Sequence, residues 1–476
     1  MKVLLTHIIL FLTSITLTAQ PITWERTYDN SQSYFTDFAR AICESDSGNY
    51  FIAGSSLISV PTNHYRIWLI KIDPYGDTLF TRLVGLPGST TRAAVSDSKG
   101  GCVIAGYSGQ SFTTCIDKYG NVVWERSYGG SSVQMHKIIR TSDGGYVACG
   151  RISLRHGYLL KIDSVGFLEW QRVFTSPFSK VFFDVAQVGT EFFVIGDNET
   201  AIPDTANIAL SRFDSDGNLI SEKEFSISGR QCVGYDVICN QNDLIIGGGT
   251  TDENNTRGQL FFARVDTSAN VLYEKIFDSP YRNYFGSMKL SSENRYVFAL
   301  STIYGFSLLP EAIVTDSLGN TVYRRTFYKS NRNEGEFYEL IVDHNKDIIF
   351  VGLAVDDFYS DVVYACRTDS SLYSKTVKVG DFKIESKDFA LLENYPNPFN
   401  SSTIIKISLS SKDYMRLDLF DVSGKFIACL LDERLNAGVT ALELSADMHK
   451  LSSGVYFIKM TSQKGFTKIK KIISLK

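Results

Sequence analysis

Apolar side chains recur at every second position along much of the chain. Ile405, Ile407 and Leu409 share one face, as do Met415, Leu417 and Leu419, with Arg416 and Asp418 turned the other way; Tyr456, Ile458 and Met460 make a third set. A period of two marks half-buried β-strands. Upstream, apolar runs such as "YFIAGSS" (50–56) and "CVIAGYS" (102–108) are separated by turns of Gly, Asn and Asp. The pattern predicts an all-β protein.

The upstream strands repeat. A strand, an Asp-centred turn and a second strand recur at Asp73, Asp117, Asp163, Asp214, Asp266, Asp316 and Asp369, spaced by 44 residues (Asp73 to Asp117) up to 53 (Asp316 to Asp369). Asp bonds its own backbone in turns, and a glycine three places on supplies positive φ. Gly76, Gly120, Gly166, Gly217 and Gly319 fill that place, while the copies at Asp266 and Asp369 have lost it. Between these hairpins lies a second one, as in "ICESDSGNYFIAGSS" (42–56), so each repeat carries about four short strands. That is the size of one propeller blade. A four-stranded sheet cannot cover both its faces alone, and closing seven of them into a ring gives each two neighbours. A seven-bladed β-propeller over residues 20–380 is therefore expected. "ITWERTYD" (22–29) is an additional copy of the outer strand, able either to displace or to join "LYSKTVKV" (372–379) at closure.

After about residue 380 the repeat ends. Pro396 and Pro398 remove two backbone donors within three residues, which no central strand absorbs. Turns at "DVSGK", "LNAGV", "LSSGV" and "SQKGF" then divide the tail into six or seven short strands, a small β-sandwich over 400–476 behind a linker at 381–399. "ENYPNPFNSSTIIKISL", "LDLFDVSGK", "LNAGV", "LSSGVYFIKM" and the Lys-rich end resemble the type A C-terminal sorting domain of Bacteroidetes type IX secretion cargo. Asn394, Pro396, Pro398 and Phe399 match its opening motif, and Gly424, Gly438, Gly454, Tyr456 and Lys476 match the rest. The resemblance implies an immunoglobulin-like fold, reading by the outer-membrane translocon, cleavage by a sortase-like peptidase, and either anchoring to surface lipopolysaccharide or release.

The N-terminus, "MKVLLTHIILFLTSITLTAQ", has the basic start and short apolar run of a signal peptide, with cleavage expected between Ala19 and Gln20. The Sec translocase is then a partner, and the protein passes through the periplasm to the surface or medium. The 13% aromatic content suits strands. A net charge of −4 supplies none of the basic surplus that nucleic-acid binding needs. The eight cysteines form no CxxC pair; Cys102 with Cys115 and Cys232 with Cys239 are the candidate bridges.

Chemistry is sparse. The six histidines are isolated, and no HExxH or G-x-S-x-G occurs. "DSDGN" (214–218) has the alternating oxygens of a Ca²⁺ loop but sits in the hairpin slot and lacks the closing Glu, position 225 being Phe. Trp24, Trp124 and Trp170 recur at one repeat position and read as blade-packing residues. No cofactor is expected. No polar residue is seen to recur on the inner strands, which favours a non-catalytic binding module for glycan or protein. The competing reading is a hydrolase of polysaccharide or peptide, which would gather carboxylates at one mouth of the channel.

Overall fold

The computed structural model describes residues 23–30, 36–58, 64–153, 155–175, 179–199, 206–241, 243–251, 258–277, 279, 281–291, 294–305, 307–327, 334–356, 360–374, 389–395, 397–409, 412–435, 438–446, 449–462 and 467–475. Among these the chain forms strands β1 to β35 and no α-helix. It divides into two compact units, Met1–Val377 and Lys378–Lys476.

In the first unit, four-stranded antiparallel sheets repeat like propeller blades. Six are built from consecutive strands: β2–β5 (37–84), β6–β9 (90–128), β10–β13 (133–174), β14–β17 (180–225), β18–β21 (232–277) and β22–β25 (283–326). The seventh joins β26 (Gly335–Val342), β27 (Ile348–Val355) and β28 (Asp361–Thr368) to β1 (Trp24–Tyr28).

Alternate residues of the central strands serve opposite neighbours. In the first sheet, Phe51 and Ala53 pack toward Cys102 and Ile104 of the second, while Tyr50 and Ile52 pack toward Val351 and Ala365 of the seventh. Every successive pair of sheets shares such a core, and Trp24, Ile42, Ile70 and Val363 close the circuit between last and first. The unbroken apolar runs of the sequence follow from this, because a strand covered on both faces has no solvent side to make polar. The outermost strands carry charges instead, such as Glu125 and Arg126 or Lys223 and Glu224, which discourage edge-to-edge pairing.

Closure is made by β1, paired antiparallel to β28 from Trp24 opposite Arg367 to Tyr28 opposite Val363. It therefore occupies the outer place that "LYSKTVKV" could also have filled; residues 372–374 form no strand and 375–379 lie outside the described residues. Trp24 Nε1 donates to the Pro74 carbonyl at 2.9 Å and the Tyr28 hydroxyl to that of Gly76 at 2.8 Å, both on the first sheet. Glu25, buried, accepts from Arg325 of the sixth sheet at 2.8 Å. One short strand thus ties three sheets together.

All eight cysteines are free. Cys102 and Cys115 sit on neighbouring strands without being opposite, each facing Ile116 or Val103, so the suggested bridge is not formed. Trp68 lies on the third strand of its sheet, opposite Gly54, and is buried.

The second unit has a three-stranded sheet of β29 (Phe389–Tyr395), β30 (Ser402–Leu409) and β33 (Gly438–Ser445), and a four-stranded sheet of β31 (Asp413–Asp421), β32 (Phe426–Leu435), β34 (Gly454–Ser462) and β35 (Thr467–Ser474). Ile405, Ile407 and Leu409 from the first meet Met415, Leu417, Leu419, Ile458 and Met460 from the second in one core. β29 falls inside the segment expected as linker. Pro398 follows this strand rather than preceding the fold, so its missing donor falls after the chain has left one sheet edge.

Candidate functional site

The seven Asp turns have one geometry. In each, one carboxylate oxygen accepts the backbone N–H groups two and four residues on, as at Asp214, from Asp216 at 2.9 Å and Asn218 at 2.8 Å. Asp73, Asp117, Asp163, Asp266, Asp316 and Asp369 repeat the pattern. Asn218 also donates its side-chain amide to Asp214, so this carboxylate is engaged in the turn. Where glycine is lost, Ala269 and Leu372 take the same backbone form, at φ 59° and 62°. Glycine is elsewhere needed for contact as well as conformation. A Cβ on Gly76, Gly166 or Gly217 would stand 2.7 Å from the ring of Trp24, Trp124 or Trp170 of the preceding outer strand.

The innermost strands are β2 (Asp37–Glu44), β6 (Thr90–Ser96), β10 (Val133–Arg140), β14 (Lys180–Val188), β18 (Cys232–Asn240), β22 (Asn283–Leu290) and β26. Each touches the next and β26 touches β2, so they surround an axis. All seven carry a bulge at the same register, at Arg40, Arg92, His136, Phe183, Tyr235, Gly286 and Tyr338. A bulge bends and twists its strand, and here it turns neighbouring side chains onto one another. His136 stacks on Phe183, with centroids 5.6 Å apart, Phe183 meets Tyr235 edge-on, and the Arg40 guanidinium lies 4.0 Å from the Tyr338 centroid.

The next residue in each strand completes the site: Ala41, Ala93, Lys137, Asp184, Asp236, Ser287 and Glu339. Polar residues do recur on the inner strands, contrary to the sequence reading. Bulges shift the register and the residue types differ between most copies, Asp184 and Asp236 excepted, so no letter shared around the ring reveals them. Lys137 Nζ and Glu339 Oε2 meet at 2.8 Å although their sheets are not neighbours, so the pair bridges the axis. Lys289 Nζ lies 3.2 Å from Glu339 and 3.6 Å from Asp236. Asp184 accepts the Val237 N–H at 2.9 Å and Asp236 the Met288 N–H at 2.6 Å, each on the following sheet.

Two ammonium groups thus face three carboxyls. Burial raises the Asp184 carboxyl to about 7, against the pull of Lys137. Burial also works against ionised Glu339, but Lys137 and Lys289 outweigh it and hold that carboxyl well below its ordinary range. Lys137 is desolvated, yet Glu339, Asp236 and Asp184 hold it firmly protonated. Burial, aided by Arg151 and Arg92, lowers His136 to about 4, against the pull of the Phe182 carbonyl, to which its Nδ1 donates at 2.8 Å.

Among the described residues one cluster has its ligand atoms close enough to hold a cation. Ligand atoms of Glu44, Asp343 and His344 lie within 4.8 Å of one another at the seam of the seventh and first sheets. Asp343 already accepts from Tyr50 and from Arg367, each at 2.7 Å, and the His344 N–H donates to Glu44 at 2.9 Å, which accounts for the cluster as a seam lock.

In the tail, the opening motif is bonded to the C-terminal strand. The Phe399 N–H donates to the Ile473 carbonyl at 2.9 Å, the Leu475 N–H donates to the Phe399 carbonyl at 2.7 Å, and Asn397 Oδ1 accepts the Ile473 N–H at 2.8 Å. Pro398 follows a cis bond, and Phe399 fills the core. Asn394, buried, donates to Thr403 at 3.1 Å. Gly424 takes φ 82° in the turn that Asp421 caps. Gly438 and Gly454 open β33 and β34, and the Tyr456 hydroxyl donates to the Ser452 carbonyl at 2.9 Å. Ala19, Gln20, Pro396 and Lys476 lie outside the described residues.

Residues 393–475 match the family described as secretion system C-terminal sorting domain. The tail is a type IX sorting domain. It engages the type IX secretion machinery and directs the protein to the cell surface or the extracellular medium. No curated protein matches the chain. Among solved structures, a protein of unknown function from Bacteroides caccae is 14% identical over 50% of this chain and 81% of its own, with a TM-score of 0.36. BamB from Moraxella catarrhalis is 13% identical over 69% of this chain and 85% of its own, with a TM-score of 0.41.

Proposed function

We propose that the protein is a seven-bladed β-propeller, residues 20–380, exported by an immunoglobulin-like β-sandwich and acting as a non-catalytic binding module for glycan or protein. A signal peptide cut between Ala19 and Gln20 uses the Sec translocase. A sortase-like peptidase then removes the tail, and the propeller is released or fixed to surface lipopolysaccharide.

The observation that carries this reading is how the axial carboxylates are used. A glycoside hydrolase needs one carboxyl to protonate the leaving group and another to serve as base or nucleophile, both facing substrate. Asp184 and Asp236 accept backbone donors of the next sheet, and Glu339 is paired with Lys137 and Lys289. These groups hold blades together and plug the channel, which leaves its mouth as a surface for recognition.

Two experiments test the proposal. Residues 20–380 should bind in a glycan and protein array without turnover in a hydrolase panel; turnover abolished by Glu339→Gln would establish the hydrolase instead. Deleting residues 388–476 should strand the protein in the periplasm, and normal surface display would refute the export route.

A further inference from the structure

One mouth of the axial channel gathers guanidiniums that outnumber its acids: Glu336 lies near enough for Arg40 to favour its ionised form, but Arg92 has no ion-pair partner among the described residues. Arg40 and Arg92 occupy the bulges of adjacent inner strands. Arg151 lies opposite Gln134, two residues ahead of the His136 bulge, and its Nε and Nη2 donate to the Gln134 amide oxygen at 3.2 and 3.0 Å. Among the described residues no carboxylate pairs with Arg40 or Arg92, and the Arg92 Nε is buried without an acceptor. Burial and the guanidiniums of Arg40 and Arg151 all press on the Arg92 charge. An unpaired, shielded cation is costly to keep, and a ligand oxyanion would relieve it. The guanidinium fork suits a carboxylate, and the Tyr338 ring beneath Arg40 holds that fork flat.

Aromatic rings occupy further bulge positions of the mouth. Phe183 and Tyr235 face it from the fourth and fifth sheets. Beside it a cavity of 340 Å³ is lined by Tyr284, Ile303, Ser307, Leu308 and Glu336, within the size range of ligand sites. Tyr284 and Glu336 both precede the bulge on their strands, which puts the cavity at this same mouth.

We propose that this mouth binds an acidic oligosaccharide, with Arg92 and Arg40 gripping a uronate carboxylate and the Tyr284 cavity receiving a neighbouring sugar. The proposal rests on the binding-module reading and names its ligand. Three guanidiniums in one mouth call for closely spaced charges, which a uronate chain repeats.

The test uses the full exported chain with oligogalacturonate, neutral dextran oligomers and oligoglutamate. Oligogalacturonate should bind and dextran should not. Arg92→Met and Arg40→Met should each weaken binding about tenfold or more, while Arg140→Met, at the far end of its inner strand, leaves it unchanged. Arg92→Met should also raise the melting temperature of the ligand-free protein and abolish the rise that oligogalacturonate causes. Unchanged affinity in Arg92→Met, a lowered melting temperature with binding retained, or equal binding of oligoglutamate would each overturn the proposal. Dextran binding indifferent to both arginines would sink the acidic ligand and leave the binding module standing; silence toward every glycan and protein would sink both.

Discussion

Lys137 of the third sheet and Glu339 of the seventh meet at 2.8 Å across the axis of the ring. The contact joins sheets that share no core, so it braces the ring across its axis. Its strength depends on keeping both partners. Lys137→Met should destabilise the protein by about 3–5 kcal/mol, because it leaves three shielded carboxyls facing the single ammonium of Lys289. Lys137→Met combined with Glu339→Met should recover much of that loss. Urea unfolding of the two single variants and the double variant measures this, and strictly additive losses would show that the pair does not act as one.

Stability should depend on pH through two opposing groups. Asp184, raised from 3.8 to about 7, keeps in the folded state a proton that the unfolded chain releases, so its contribution falls as pH rises through that window. His136, lowered from 6.5 to about 4, refuses a proton that the unfolded chain takes up, so its contribution falls as pH drops below 6.5. Glu339 acts only below its ordinary 4.5. Relative to wild type, Asp184→Asn should therefore lose stability from pH 6.5 down to 4.5, and His136→Gln should lose it from 4.5 up to 6.5. Melting temperatures across that range decide it; parallel profiles would exclude both assignments.

The two glycine-free turns should respond oppositely to glycine. Ala269 sits at φ 59° with only a methyl to lose, and left-handed backbone costs an L-residue about 1–2 kcal/mol. Ala269→Gly should be neutral or stabilising by up to about 1 kcal/mol. Leu372 is 1% exposed within the core of the sixth and seventh sheets, so Leu372→Gly should destabilise by about 2–3 kcal/mol from lost burial. Chemical denaturation of both variants gives the comparison.

Phe399→Ala should unfold much of the sorting domain. The side chain is 1% exposed in a small core, and such truncations cost about 3–5 kcal/mol, a large share of the stability of so small a unit. Surface display should fall with it. Removing the last four residues should act alike, since Ile473 and Leu475 are the backbone partners of Phe399. Undiminished display in either variant would separate sorting from the fold.

The repeat was legible because a turn is a local problem. Asp, an αL position three residues on and flanking strands solve it within a dozen residues, so Asp73 and its six counterparts mark themselves. The tail was legible for the same reason, its alternation and motif order being local. The closing strand was visible as an additional copy, "ITWERTYD", yet its place was not, because pairing Trp24 with Arg367 joins the two ends of the ring. The axial site was hidden altogether. Lys137, Asp184, Asp236 and Glu339 share a residue type only in one pair, Asp184 and Asp236, and stand far apart in the chain. What sets them together is a bulge repeated in every inner strand and the convergence of those strands on one axis. Spacing along the chain determined that there would be blades and a sorting tail. Only the closed ring decided which charges would meet, because burial and partnership are properties of an enclosed space.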